Sequence, residues 1–249
     1  MNFNKVKTII QENQYEFIHV ESTPSTMINV KNFLKAENKN CIVLSDQQTA
    51  GKGRRGNPWY SPKGNIYFSI SFNNLLNLKS HFLFSILTAV SIKMTLEKFK
   101  AKNIKFKWPN DIFFENKKFS GIILESFKVN NDKSFMIAGC GINIESCPKI
   151  LHYSTTYVKK FCKIVTMEEF LAAFYEILFF NWNLLIKNNY SNLVAIYAKS
   201  LMFVGEKITI QMDNKSIISG IFKKVNTDGS LQIENDNKIS NLYNGTIQI

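Results

Sequence analysis

Phe119-Ser120-Gly121-Ile122-Ile123-Leu124-Glu125-Ser126-Phe127, followed after a short polar break by a nearly unbroken apolar run at 135–144, decides the fold class of this 249-residue chain. Runs with so little polar alternation belong to strands covered on both faces. They predict the centre of a sheet. Apolar residues at helical spacing over 81–99, with further helices over 167–187 and 190–199, predict the layer packed on it. Shorter β-branched or aromatic runs at 17–20, 41–45, 66–72 and 104–108 supply more strands. Between the first two, Ser22-Thr23-Pro24-Ser25-Thr26 offers N-cap hydroxyls and an early proline, which suits a helix running to about Lys35. The main body, over 1–200, is therefore expected to be α+β, a central mixed sheet with packed helices. After Leu201 the pattern changes to short strands at 207–212, 216–223, 230–234 and 238–243, separated by Asp213-Asn214, Asp228-Gly229 and 235–237, which predicts a small β-barrel over 201–249.

Composition narrows the classes. With 45% hydrophobic residues the chain can bury a full core. Residues 1–14 hold no apolar run of signal-peptide length, so a cytoplasmic protein is expected. The greasiest stretch, 170–186, carries Glu176, Asn181 and Asn183 and falls short of the ~20 apolar residues that span a bilayer, which predicts a buried helix and no membrane span. Cysteines at 41, 140, 147 and 162 make neither a CxxC pair nor a Cys/His ligand set, so no structural metal and no disulfide framework are expected. The net charge of +12 raises a nucleic-acid surface as one reading, but Lys and Asn are scattered through every loop, and only 48–64 concentrates Arg together with Gly.

Four short motifs carry the chemistry. The loop Gly51-Lys52-Gly53-Arg54-Arg55-Gly56-Asn57-Pro58-Trp59-Tyr60-Ser61-Pro62-Lys63-Gly64 can curl its amides around an anion while its cations add charge-assisted donors. It lacks the Gly-Lys-Ser/Thr ending of a Walker loop. Lys107-Trp108-Pro109-Asn110-Asp111 puts a stiff turn after a strand and presents an amide beside a carboxylate, a pair that can read an adenine or ribose edge and place Mg²⁺ beside phosphates. The bland alternative for it is an apolar plug followed by an Asx turn. Lys117-Lys118-Phe119-Ser120-Gly121-Ile122 brings a lysine into a buried strand next to a glycine that permits close approach. Gly139-Cys140-Gly141-Ile142-Asn143 places two glycines where a strand ordinarily avoids them, for a ligand or for tight packing.

In this order the four motifs resemble the biotin protein ligases, and Glu21-Ser22-Thr23 is similar to that family's Asp-Ser-Thr-Asn. The resemblance covers about 15–145 by motif and the remainder by layout. It implies a catalytic domain of the biotin-lipoate ligase fold, like that of class II aminoacyl-tRNA synthetases, with an SH3-like C-terminal barrel. It implies that biotin attacks the α-phosphate of ATP to give biotinyl-5′-adenylate, after which a lysine of a biotin carboxyl carrier protein takes the biotinyl group. ATP, Mg²⁺ and biotin would be the ligands. By family match Ser22, Thr23 and Gln48 hold the ureido head, with Gly51, Gly121 and Gly139 allowing close approach and Lys52 beside the carboxylate. Arg54 and Lys118, the two residues expected to carry catalysis, hold the carboxylate and α-phosphate. Arg55, Trp59, Asn110 and Asn143 take the ATP side, and Asp111 places Mg²⁺. Lys52 stands where the family usually has Arg, and Pro24 where it has Asn, which predicts looser carboxylate alignment and one polar contact fewer. The sequence ends at Ile249 without the basic residue some members place further on, so no ATP contact from the C-terminal domain is expected. Only about fifteen residues precede the first strand, too few for a helix-turn-helix module, so no specific DNA binding is expected. A homodimer stays open. Lipoate and octanoyl ligases or transferases are the alternative enzyme class, although they lack Lys-Trp-Pro-Asn-Asp.

Overall fold

The computed structural model describes residues 3–73, 81–130, 133–150, 153–164 and 166–248. Seven strands form the main sheet in the order β1-β2-β3-β7-β6-β5-β4. They are β1 (Glu16–Val20), β2 (Cys41–Ser45), β3 (Ile66–Asn73), β4 (Ile104–Lys107), β5 (Asp111–Phe114), β6 (Lys117–Lys128) and β7 (Ser134–Ile142). The β1–β2 pair is parallel and every other pairing antiparallel, which makes the sheet mixed, as expected. The two runs that decided the fold class are β6 and β7, paired from Ser120–Ile142 to Lys128–Ser134.

One face of this sheet is closed by α1 (Asn4–Glu12), α3 (Phe82–Lys98), α4 (Met167–Ile186) and α5 (Ser191–Lys199). Phe68 of β3 meets Phe174 and Tyr175 of α4 there, with ring centroids 5.2 and 6.0 Å apart. Polar groups in this layer are satisfied locally: Thr88, Ser91 and Thr95 return their hydroxyl protons to carbonyls four residues back. Asn181, 3% exposed, donates to Ser91 Oγ across the α3–α4 contact. Thr166 and Glu169 form a reciprocal cap at the start of α4. By length and composition α4 passes for a membrane-crossing helix, contrary to the expectation that it is too short, but 61% of its apolar window is buried within the protein. It is the core helix of the layer.

The other face is shared. The helix α2 (Thr26–Glu37) covers β2, β3 and one end of β7, packing Met27, Val30 and Leu34 on Val43, Phe135 and Ile137. It starts later than expected, at Thr26 rather than near Ser22, because residues 21–25 run extended from β1, with Ser25 at φ −165°. The remaining half of that face is open and carries the cleft described below.

A second sheet, antiparallel throughout and ordered β11-β10-β9-β8-β12, comprises β8 (Lys207–Gln211), β9 (Ile217–Val225), β10 (Leu231–Asn235), β11 (Lys238–Leu242) and β12 (Thr246–Ile247), an SH3-like layout. Its buried Ile208, Ile210, Phe222 and Leu231 belong to the same apolar cluster as the main sheet. Trp108 locks the two together: it is 2% exposed and its indole N–H donates to Gly229 O at 3.0 Å. The plug reading of Trp108 is thus the correct one. Two elements had no counterpart among the expected strands: β12, and β5, whose link to β6 is the tight turn Glu115-Asn116 with positive φ at both residues.

Candidate active site

A cleft of about 950 Å³ opens on the free half of the main sheet. Its floor is a row of directly opposed residues crossing four strands: Gly141 on β7, Gly121 on β6, Asp111 on β5 and Lys107 on β4. These four positions face away from the helical layer because Phe106, Ile112, Ile122 and Ile142, one residue along, point into the core. The 51–64 loop forms the roof. It lays Trp59 across the glycine pair so closely that a Cβ on Gly141 would lie 2.2 Å from Trp59 Nε1, and one on Gly121 3.1 Å from Cζ3. The glycines at 121, 139 and 51 therefore admit protein atoms first: Gly139 lies under Met27, and Gly51 against Trp59 O and Ser61 Oγ.

Lys118 stands at the centre. Its ammonium is 2.7 Å from Asp111 Oδ1 and lies over two rings, 5.3 Å from the Trp59 centroid and 5.4 Å from that of Tyr153. The ion pair is off the line a hydrogen bond requires, so Asp111 Oδ1 is buried and has no hydrogen-bond partner among the described residues. Tyr153 belongs to a segment, described over 145–150 and 153–160, whose second part bonds Lys118 on both sides, Lys118 N to Ser154 O and Thr156 N to Lys118 O. Nothing in the sequence pattern singled this segment out; its apolar Ile150 and Tyr153 within a polar stretch were the available signal, and both line the cleft.

The two arginines reach the C-terminal sheet. Arg54 donates to Asn110 Oδ1 at 3.3 Å and to Gly245 O at 3.0 Å. Burial lowers its pKa, opposed by Asp111 and Asp213, yet a guanidinium stays charged. Arg55, at φ +57°, donates to both Asp213 Oδ1 and Gln211 O at 2.8 Å. Gln211, Thr246, Ile247 and Gln248 also line the cleft, so β8 and β12 form one wall of it. Asn110 is also more committed than expected, since its amide donates to Ile122 O while its oxygen accepts from Arg54. Asn143 donates to Thr156 O, leaves Oδ1 buried without a hydrogen-bond partner among the described residues, and borders a small side cavity with Trp59 and Tyr153.

One correction concerns the polar corner. Ser22 is exposed and Thr23 is buried against Asn29, 2.5 Å away, so neither lines the cleft. The second Ser-Thr pair does. Thr26 N and Oγ1 both donate to Gln48 Oε1, at 2.9 and 3.2 Å, Thr26 Oγ1 meets Ser69 Oγ at 2.7 Å, and Ser25 Oγ makes no hydrogen bond among the described residues. The Ser-Thr dipeptide occurs twice within five residues, and only the point where β1 ends and α2 begins tells which is used. Pro24 is exposed and outside the cleft, so the polar contact expected to be lost there is not at stake. Lys52 lines the cleft with an exposed side chain.

Asp111 is the single carboxylate in the lining, and among the described residues no three His, Cys, Asp or Glu side chains converge. That donor set fits Mg²⁺ carried chiefly by phosphate oxygens, with Asp111 as the protein ligand, and does not fit a metal held by the protein alone.

Comparison with known proteins agrees with this geometry. The chain superposes on the biotin protein ligase of Aquifex aeolicus in complex with biotin and ATP with a TM-score of 0.77 and 24% identity, over 94% of this chain and 97% of that one. At that identity the match shows the fold. In sequence it is 24% identical over 210 residues to the bifunctional ligase/repressor BirA of Salmonella typhimurium, covering 83% of this chain and 65% of that protein. It is 31% identical over 102 residues to the Escherichia coli protein of the same name, covering 41% and 32%. The matched part thus spans a third to two thirds of these relatives. A biotin--[acetyl-CoA-carboxylase] ligase of Paracoccus denitrificans is 30% identical over 108 residues. Residues 18–143, which hold the polar corner, the loop, the hairpin turn and both glycine strands, match the model of the Biotin/lipoate A/B protein ligase family, and the chain belongs to that family.

Proposed function

We propose that this protein joins biotin to a lysine of a biotin carboxyl carrier protein in two steps, through biotinyl-5′-adenylate. The observation that carries it is the gathering of all four motifs and the C-terminal wall around one cleft that is lined, among the described residues, by cations and backbone amides. Such a site suits a reaction between two anions, in which the protein need supply no nucleophile of its own. One carboxylate oxygen of biotin attacks the α-phosphorus, the bond to the bridging oxygen breaks, and pyrophosphate leaves with the electron pair. Orientation and charge neutralisation are then the whole task. Lys118 and Arg54 hold the carboxylate and α-phosphate, with Trp59 and Tyr153 closing over them. Mg²⁺, bound beside Asp111, would neutralise phosphate charge. In the second step the carrier amine attacks the mixed anhydride and AMP leaves.

The choice of biotin over lipoate rests on the polar corner. Ser25, Thr26 and Gln48 present hydroxyl and amide groups to the cleft, which match a ureido ring and have nothing to bond in a dithiolane. Incubation with MgATP, biotin and a biotin-carrier domain should give a streptavidin-reactive carrier. Labelling with lipoate or octanoate in its place would overturn the assignment, as would salt-sensitive nucleic-acid binding without use of ATP.

A further inference from the structure

The ladder between β3 and β7 closes with the pair Ile66–Ile142, and beyond it one side chain continues the connection. Asn65, 5% exposed, sits between the 51–64 loop and β3, and its Oδ1 accepts the amide protons of Ile144, Glu145 and Ser146 at 2.8, 2.9 and 3.3 Å. Its Nδ2 donates back to Ser146 O at 3.1 Å. Three successive amides turned towards one oxygen make a nest of the kind that elsewhere binds an anion, and here the chain fills it with its own carboxamide. Gly64 adds to the contact. At φ +93° it lies so near the Glu145 side chain that a Cβ there would be 2.8 Å from Oε2. The foot of the roof loop is thus clipped to the bend at 144–146.

That bend leads into the lip of the cleft. Pro148, Ile150 and Tyr153 of the lip border the small side cavity together with Trp59 and Tyr60 of the roof, so the two walls meet there. Trp59 from the roof and Tyr153 from the lip both lie over the Lys118 ammonium. The far end of the lip is bonded back to the sheet, Thr156 N to Lys118 O at 2.9 Å and Val158 N to Asn143 O at 2.8 Å, and its near end is bonded to Asn65. We propose that Asn65 is a positioning residue, which holds the lip against the roof so that the adenylate stays in the cleft between the two steps; the assignment rests on the ligase function above. A mixed anhydride that reaches water is lost by escape or hydrolysis, so the two walls must stay together until the carrier amine arrives. Asn65 lies outside the cleft lining, its carboxamide is committed to main-chain groups, and it acts through Ile150 and Tyr153.

The test uses Asn65→Ala, which empties the nest, and Asn65→Asp, which keeps an acceptor oxygen for the three amides and gives up only the donation to Ser146. Each protein is loaded with labelled biotinyl-5′-adenylate from biotin and MgATP. Release of the adenylate into unlabelled adenylate is then timed, beside the single-turnover rate of its formation. For Asn65→Ala release should speed up by about tenfold or more, as for loss of one or two net hydrogen bonds, while formation stays within about threefold of the unaltered protein. Asn65→Asp should release less than about threefold faster, because a carboxylate accepts amide protons at least as strongly as a carboxamide. Tyr153→Ala removes the ring of the lip without touching the clip and should leak similarly, and the double variant Asn65→Ala, Tyr153→Ala should release within about twofold of the leakier single variant. Unchanged release from Asn65→Ala overturns the assignment alone. So does a loss of formation as large as the gain in release, which marks a merely structural role. Unchanged release from Tyr153→Ala overturns it whether or not Asn65→Ala folds. No adenylate formed by the unaltered protein overturns the ligase function and this assignment with it.

Discussion

Gly141→Ala is the sharpest probe of how the cleft floor is built. The added methyl would lie 2.2 Å from Trp59 Nε1, 2.4 Å from Cε2 and 2.7 Å from Cζ2. Ordinary contact begins near 3.5 Å, so the indole must retreat by more than about 1 Å. A rigid shift of the loop is opposed by its ties to the rest of the protein, since Gln48 N donates to Ser61 O at 3.3 Å while Arg54 and Arg55 donate to Gly245 O and Gln211 O at 3.0 and 2.8 Å. The ring must tilt, carrying away the face that covers Lys118. Since Trp59 is half-buried on a partly exposed loop, the fold loses little: about 1 kcal/mol, the low end for overpacking, and a Tm lower by about 2–4 °C. The site loses more. A displacement of about 1 Å in a positioning group can cost on the order of 10²-fold in rate, so kcat/KM for ATP in the adenylation step should fall by about 10- to 100-fold. Gly121→Ala, with a 3.1 Å approach to the ring edge, should do less. Trp59→Ala removes the clash, so the double variant should be no worse than Trp59→Ala alone. Adenylation by Gly141→Ala within about twofold of the unaltered protein would refute the placement of Trp59 on the glycine floor.

Lys118→Ala should slow adenylation by about 10²-fold or more and should also lower Tm, because the largely buried Asp111 carboxylate loses its ion partner; adenylation within about twofold of the unaltered protein would contradict this. Ser25→Ala should weaken biotin binding several-fold in a calorimetric titration, whereas Ser22→Ala should leave it unchanged; the reverse order would restore the first Ser-Thr pair to the site. Raising the pH should destabilise the protein from about pH 9. Burial pushes the Cys41 and Cys140 thiols up to about 12, so the unfolded chain releases their protons first and the stability present below pH 9 is lost above it, by about 1.4 kcal/mol per pH unit per thiol. Tyr15, Tyr175 and Tyr197 add the same sign beyond pH 10. Urea midpoints that hold steady between pH 8 and 10.5 would argue against this.

The fold was legible where burial leaves a composition signature. β7 and α3 read correctly because covered strands and helices cannot carry regularly spaced charges, whereas β6 is a strand as expected but is not covered on both faces, since one of them opens on the cleft. β5 was missed because it has four residues and its link to β6, Glu115-Asn116, takes the paired positive φ of a tight hairpin without the Asn-Gly that announces one. The motifs named the cleft but not its internal alignment. Which Ser-Thr pair enters it depends on where α2 begins, and the alignment of Lys107 and Asp111 with the two glycines depends on a register across β7, β6, β5 and β4 that no single segment contains.

The C-terminal wall explains how so many cations coexist before any ligand arrives. Arg54 bonds only neutral oxygens, Asn110 Oδ1 and Gly245 O, so its position is fixed while its charge remains to be used. Arg55 spends its charge on Asp213, an exposed pair worth at most about 1 kcal/mol in water, and so acts as a latch that salt or a ligand can release. Lys118 and Asp111 neutralise each other until an anion or a cation enters between them. Were the second sheet absent, Gly245, Gln211 and Asp213 would go with it, and both arginines would lie loose in water beside Lys107. Cations fixed in advance need no reorganisation when charge develops on phosphate, which is the main way a site without a nucleophile can accelerate such a reaction. The small sheet therefore fixes the cations of the cleft in place, through its backbone carbonyls as much as through its side chains.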